Sequence, residues 1–268
     1  MTTTFERQLK LNALRQMLRT ATSRPSDVGT CAREEDFSHS IADGRKSRFS
    51  LWMPRSGDIQ EWLGEAGGGG LDLAIWNACR SLLAQGIAPA RWMIVDQEPT
   101  FWAVALREYR IDLSRVVMVR VAECGDLWWG VEQGLRSRGV DLVLCRAKRL
   151  PVGVMRRWKV AAETGESRCV IWRDLEARGI GFQPVNSGER IHKPEAYATE
   201  PSVADLRLRV SPLSSPCWTQ RRLRVETLKV RQGLPGDVIE VELDYAKDHL
   251  RLVSQLADSA DLYSTART

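Results

Sequence analysis

The residues best placed to do chemistry lie between positions 59 and 85. A short mixed run (Ile59, Trp62, Leu63) leads into a glycine-rich stretch from Gly64 to Leu71. A helical pattern with apolar residues at 75, 78, 79, 82 and 83 follows. Strand, glycine loop and helix in that order are the setting of a phosphate-binding loop, where backbone N–H groups and a helix N-terminus surround phosphate oxygens. The working pattern is G-x-x-x-x-G-K-[ST]. Gly64 and Gly69 hold its two glycine positions, with Gly67 inside the turn; Gly70 stands at the lysine and Leu71 at the hydroxyl. No cation on this loop reaches a terminal phosphate, and no hydroxyl holds Mg²⁺. Two readings stand side by side: a cradle that has kept its backbone shape and lost its chemistry, or a flexible turn made of consecutive glycines.

Little else in the chain has the spacing of a catalytic or metal site. The three histidines lie far apart, and the six cysteines (31, 79, 124, 145, 169, 217) contain no C-x-x-C pair. Cys145 and Cys169 fall in apolar runs and read as reduced core thiols of a cytoplasmic protein. No metal or other cofactor is expected. The charge is unevenly spread. Residues 1–145 carry 18 basic and 18 acidic side chains, residues 146–231 carry 18 and 9, and residues 232–268 carry 3 and 7. The basic third suits a nucleic-acid surface, or equally a solvated face paired with an acidic tail. Apolar content of 43% and charged content of 27% fit a globular chain. No apolar run is long enough to cross a membrane, and the N-terminus lacks the pattern of a secretory leader.

The elements that would position these groups follow from periodicity. Phe5, Leu9, Ala13 and Met17 step by four, joined by Leu14 and Leu18, which predicts an amphipathic helix within 1–22. A linker rich in charge, Gly and Ser occupies 23–50. From 51 to 245 short apolar runs (92–96, 116–119, 140–145, 169–172) alternate with helical stretches (100–109, 125–138, 153–164). That alternation predicts βαβ units and a mainly parallel sheet flanked by helices. A polar stretch at 174–204 reads as a long loop, and the strictly alternating runs 206–210, 222–230 and 238–243 read as antiparallel strands. Residues 246–268 read as an acidic tail.

Taken in this order, residues 59–243 resemble the P-loop core of the RecA-type recombinases. Leu63-Gly64 matches the opening of that family's phosphate loop. Val95-Asp96-Gln97-Glu98 is similar to a strand end whose glutamate activates the attacking water. Arg110-Ile-Asp-Leu-Ser-Arg-Val-Val resembles a Gly-Val-Asp-Ile-Asp-Asn-Leu-Leu run, and Leu228-Lys229-Val-Arg231 a late strand whose basic residues reach a neighbouring subunit's nucleotide. The departures are systematic: the Walker A lysine position is Gly70, the hydroxyl is Leu71, and the Walker B acid falls at Arg146, or at Cys145 if the register slips by one. Phosphoryl transfer rests on positioning and charge neutralisation, so Glu98, also readable as a polar strand end, is expected to be a relic with no catalytic residue beside it.

A RecA-like body without the lysine, with an N-terminal helix and a basic C-terminal part, resembles the ImuA family, accessory factors of bacterial mutagenesis cassettes. The resemblance implies a non-catalytic role in DNA-damage-induced translesion synthesis. Its partners would be an ImuB-type inactive polymerase homologue and an error-prone polymerase. A divergent RecA-like ATPase acting on DNA is the alternative. Phe5, Leu9 and Met17 would dock on a partner or on another copy of the chain. Lys229 and Arg231 would line an interface between copies if the protein self-associates. By analogy with the family's DNA-carrying loops, Lys148, Arg149, Arg156, Arg157 and Lys159 would contact DNA phosphates. Trp158 is readable as a base-stacking or a core residue.

Overall fold

The computed structural model describes residues 52–65, 68–87, 89–97, 106–107, 109, 111–147, 150–175, 202–215, 219–231, 235–244 and 249–256. Nine strands form one sheet: β1 Ile59–Glu65, β2 Trp92–Asp96, β3 Val116–Arg120, β4 Leu142–Arg146, β5 Arg168–Leu175, β6 Leu206–Leu213, β7 Gln220–Val230, β8 Val238–Asp244 and β9 His249–Leu256. Their order across the sheet is β3-β2-β4-β5-β1-β6-β7-β8-β9. The pairings from β3 to β6 are all parallel; β6 to β9 are antiparallel. The described α-helices are α1 Gly70–Ala84, α2 Cys124–Arg136 and α3 Val152–Gly165.

Burial explains the parallel half. β2 is buried at all five positions and β4 at four of its five, as strands covered on both faces must be. Alternate side chains feed two separate cores. Trp62, Ile94, Leu144, Val170 and Trp172 join α1 residues Leu73, Ala74, Ala78 and Leu82 on one face. Met93, Val95, Val143, Cys145, Cys169 and Ile171 join Leu127, Val131, Met155 and Trp158 of α2 and α3 on the other. α1 stops at a Schellman cap: Gly86 has φ +71, its N–H donates to the Leu83 carbonyl at 3.0 Å, and that of Ile87 to Leu82 at 2.9 Å. α2 and α3 meet so closely at Gly165 that a Cβ there would lie 2.0 Å from the Leu135 carbonyl oxygen.

The antiparallel half has two unlike faces. Leu208, Val210, Leu223, Val225, Ile239 and Val241 continue the α1-side core. On the other face Arg209 pairs with Glu226 at 3.0 Å, and Arg224 with Glu240 at 3.0 Å, each an opposite-charge pair across neighbouring strands.

Two expectations change. β6 was expected to be antiparallel, yet it runs parallel to β1, with Gln60 opposite Leu206 and Gly64 opposite Val210. β5 ends at the sheet edge that bears the glycine loop, and β6 begins at the opposite edge. The intervening chain is therefore a crossover rather than a hairpin. The segment 246–268 was expected to be a tail, yet His249–Leu256 is the ninth strand, paired with β8. The acids Glu240, Glu242 and Asp244, which weighted that end of the chain, sit on β8. The expected N-terminal helix, the linker and most of 100–109 and 174–204 fall outside the described residues.

Candidate functional site at the glycine loop

The glycine loop leaves β1 at the C-terminal edge of the parallel strands, where open α/β sheets bind ligands. Gly68 N–H donates to the Glu65 carbonyl at 3.0 Å, and Gly69, at φ +82, turns the chain into α1 without a side-chain cap. Gly67 lies outside the described residues.

Trp172 of the neighbouring strand β5 decides what the other glycines do. A Cβ added at Gly64 would lie 2.5 Å from its Cη2, and one added at Gly70 would lie 2.7 Å from the same atom. Both glycines are bare because an indole packs against them. The Cβ direction of residue 70, the lysine position of a working loop, points at that ring. Leu71 is half-buried against the α1-side core. The indole is fixed in turn: Trp172 Nε1 donates to Asp174 Oδ1 at 2.7 Å. Arg146, at the end of β4 where a Walker B acid was sought, forms a part-buried ion pair with the other oxygen of Asp174. Asp174, the carboxylate paired with Arg146 at this edge, is thus committed to a guanidinium and an indole. Among the described residues no group of three or more His, Cys, Asp or Glu could hold a metal ion.

A second polar centre lies inside the sheet. Glu61, in the middle of β1, is fully buried. Arg173 Nη1 donates to its Oε1 at 2.7 Å, Arg207 Nε lies 3.0 Å from its Oε2, and Ser202 Oγ donates to Oε2 at 2.8 Å. Arg173 is near the end of β5, and Ser202 and Arg207 stand where the described chain resumes. One carboxylate therefore holds both roots of the segment between them. Sequence reasoning missed Trp172, Asp174 and this cluster; the only signal was charged residues inside otherwise apolar strands.

The basic candidates divide. Arg156 and Arg157 are exposed on α3. Lys159 is not: it turns inward, donating to the Gly57 carbonyl at 2.8 Å and pairing with Asp205 at 2.7 Å, so it is no phosphate contact. Trp158 is fully buried and donates to the Trp128 carbonyl at 3.0 Å, which makes it a core residue. Lys229 donates to the Ser202 carbonyl at 2.7 Å; Arg231 lies 3.3 Å from Asp205 and 3.7 Å from Asp58. Both sit at the sheet edge opposite the glycine loop and are engaged within their own chain, with Arg231 still 63% exposed. Phe5, Leu9, Met17, Glu98, Lys148 and Arg149 lie outside the described residues. Cys145 and Cys169 are buried free thiols; a hydrogen bond between them, then burial, pushes the Cys145 thiol well above the ordinary range.

The Lys159 cluster carries a pH prediction. Burial, then the neighbouring Asp205 charge, raises Asp58 above its ordinary 3.8, against the pull of the Arg55 N–H, Lys159 and Arg231. A raised acid contributes stability that is complete below 3.8 and is lost as pH rises through the folded value. Asp58→Asn is therefore expected to melt at or above the wild-type temperature at pH 7, with the difference closing in acid. A clearly lower melting temperature at pH 7 would show that the ion pairs outweigh the burial.

These elements define an α/β protein with a mixed sheet, parallel over six strands and antiparallel toward its C-terminus. No family model matches the chain, and no curated protein matches it. Among solved structures it is similar to the crystal structure of SulA from Pseudomonas aeruginosa over 43% of this chain and 96% of that one, at 16% identity and a TM-score of 0.36. No described helix is long and apolar enough to cross a membrane.

Proposed function

We propose that the chain is a non-catalytic, RecA-like adaptor of the ImuA type, serving DNA-damage-induced translesion synthesis beside an ImuB-type polymerase homologue and an error-prone polymerase. The observation that carries the non-catalytic part is Trp172 packed against Gly64 and Gly70, with Arg146 and Asp174 paired beside it. An ATPase at this edge needs a lysine and a Mg²⁺-side carboxylate. Here the lysine position abuts an indole, and the nearby carboxylate neutralises an arginine. The strand order supports the RecA-like part. A glycine loop follows the strand lying between β5 and β6, and a parallel core is extended by C-terminal antiparallel strands.

The test is co-purification of this chain with an ImuB-type protein from the same genome, wild type beside a Leu9→Asp, Met17→Asp variant. Capture of the wild type and loss in the variant is the expected result. Capture of both moves the docking face away from the N-terminal segment. Capture of neither, together with measured ATP hydrolysis abolished by Glu98→Gln, would replace the adaptor with a divergent ATPase.

A further inference from the structure

We propose that the outer face of α2 and α3 binds nucleic-acid phosphates through Arg136, Arg156 and Arg157, with Glu132 as an internal competitor that holds two of these guanidiniums in place. This deepens the adaptor reading by naming a DNA-facing surface, and it is measured without any partner protein, so the two readings fail separately.

The two helices are joined across their outer face by one carboxylate. Arg136 Nη2 lies 2.9 Å from Glu132 Oε1, and Arg157 Nε lies 3.2 Å from Glu132 Oε2. Glu132 is 14% exposed, whereas the two arginines are 54% and 58% exposed. Two cations share one anion, which leaves a net positive charge at the surface. Each guanidinium has five N–H donors, and each is seen using only one on Glu132. The others face no described acceptor. Arg156, exposed on the same helix, has no acid partner among the described residues. The remaining acid on this strip, Glu163, lies 3.5 Å from Lys159.

A guanidinium anchored on one side by a carboxylate has lost part of its rotamer freedom before a ligand arrives, so less entropy is lost on binding. Its planar fork matches phosphate oxygens. The local sequence favours a polyanion: residues 147–157 contain Lys148, Arg149, Arg156 and Arg157 and no acid. A rival occupant is an acidic protein segment, which would also bury Val160, exposed at 60% on the same strip. The two differ in what binds and in how salt acts.

The experiment is fluorescence anisotropy of a labelled oligothymidylate of about twenty nucleotides, titrated with the full chain at several salt concentrations. Circular dichroism checks that each variant is folded. Wild type is expected to bind with log K falling linearly against log salt. Arg136→Gln with Arg157→Gln is expected to weaken binding by about tenfold and to flatten the salt slope by about 1.4, at roughly 0.7 per phosphate contact on a single strand. Glu132→Gln, which removes the competitor and one negative charge, is expected to tighten binding several-fold. Arg224→Gln, an exposed arginine on β7 and not on α2 or α3, controls for overall charge and is expected to leave affinity unchanged. The proposal is overturned if folded wild type does not bind the oligonucleotide, or if Arg224→Gln loses as much as the pair. It is also overturned if polyglutamate binds as tightly with the same dependence on Arg136 and Arg157. Weaker binding by Glu132→Gln would overturn its part as a competitor and leave only its part in holding the guanidiniums in place.

Discussion

Glu61→Ala is expected to unfold this protein, or to bring it close to unfolding, at ordinary temperatures. The wild-type carboxylate sits in the middle of β1, fully buried, between Arg173 of β5 and Arg207 of β6. Removing it leaves two buried guanidiniums without the anion they share. Breaking a buried ion pair by deleting one partner costs about 3–5 kcal/mol, a large part of the roughly 5–15 kcal/mol that holds a typical domain together. Glu61→Gln separates charge from shape: it keeps the size of the side chain and one carbonyl acceptor, for Arg173 or for Ser202, but no negative charge. Denaturant unfolding of both variants is the measurement. A loss of several kcal/mol in both means the charge is what matters. A small loss in Gln with a large one in Ala means hydrogen bonding and packing dominate. A loss under about 1 kcal/mol in both would show that the arginines find other anions. The same carboxylate accepts from Ser202, so limited proteolysis between Arg173 and Ser202 should accelerate in Glu61→Ala before global stability is lost.

This cluster also shows where sequence reading stops. The run Leu206-Arg-Leu-Arg-Val210 alternates as a strand with one apolar and one polar face should, and the strand is there. Alternation assigns Arg207 and Arg209 to one face but cannot say what that face meets. Arg209 meets Glu226 near the surface, and Arg207 meets Glu61 inside the protein. The difference comes from pairing with β1, about 146 residues earlier in the chain, and no local pattern encodes it. The same limit applies to the basic run at 156–159. Residue types group Arg156, Arg157 and Lys159, but Lys159 lies roughly 200° around the helix from Arg157, and that turns it down onto Asp205. What was legible is what depends on periodicity alone. β2 and β4 were visible as apolar runs because parallel strands are buried on both faces, and α1 was visible because its apolar stripe faces a single core. The glycine loop was found by spacing. Its occupant was not, because Trp172 arrives from a strand about 100 residues later, brought beside β1 by the sheet order.

Gly70→Lys, which restores the residue type of a working phosphate loop, is expected to destabilise the protein without conferring nucleotide binding. The new Cβ would lie 2.7 Å from Trp172 Cη2, and 3.1 Å from both Trp172 Cζ3 and Val210 Cβ. The ring has little room to withdraw, since it is buried and its N–H is held by Asp174. Overpacking of this kind costs about 1–3 kcal/mol. Arg146 still stands at the position of the Mg²⁺-side acid and still pairs with Asp174. Labelled ATP should therefore fail to bind Gly70→Lys, and the urea midpoint should fall. The contact with Trp172 is isolated by a double-mutant cycle with Trp172→Ala. That change alone costs about 3–5 kcal/mol for the lost indole, but in its presence the lysine should cost less than it does in the wild-type background. A lysine that costs the same in both backgrounds would show that the strain lies elsewhere in the loop. A Gly70→Lys protein that keeps its stability and binds ATP with Mg²⁺ would show that the indole yields. The loop would then be a phosphate site missing a single side chain, and the adaptor reading would lose the observation that carries it.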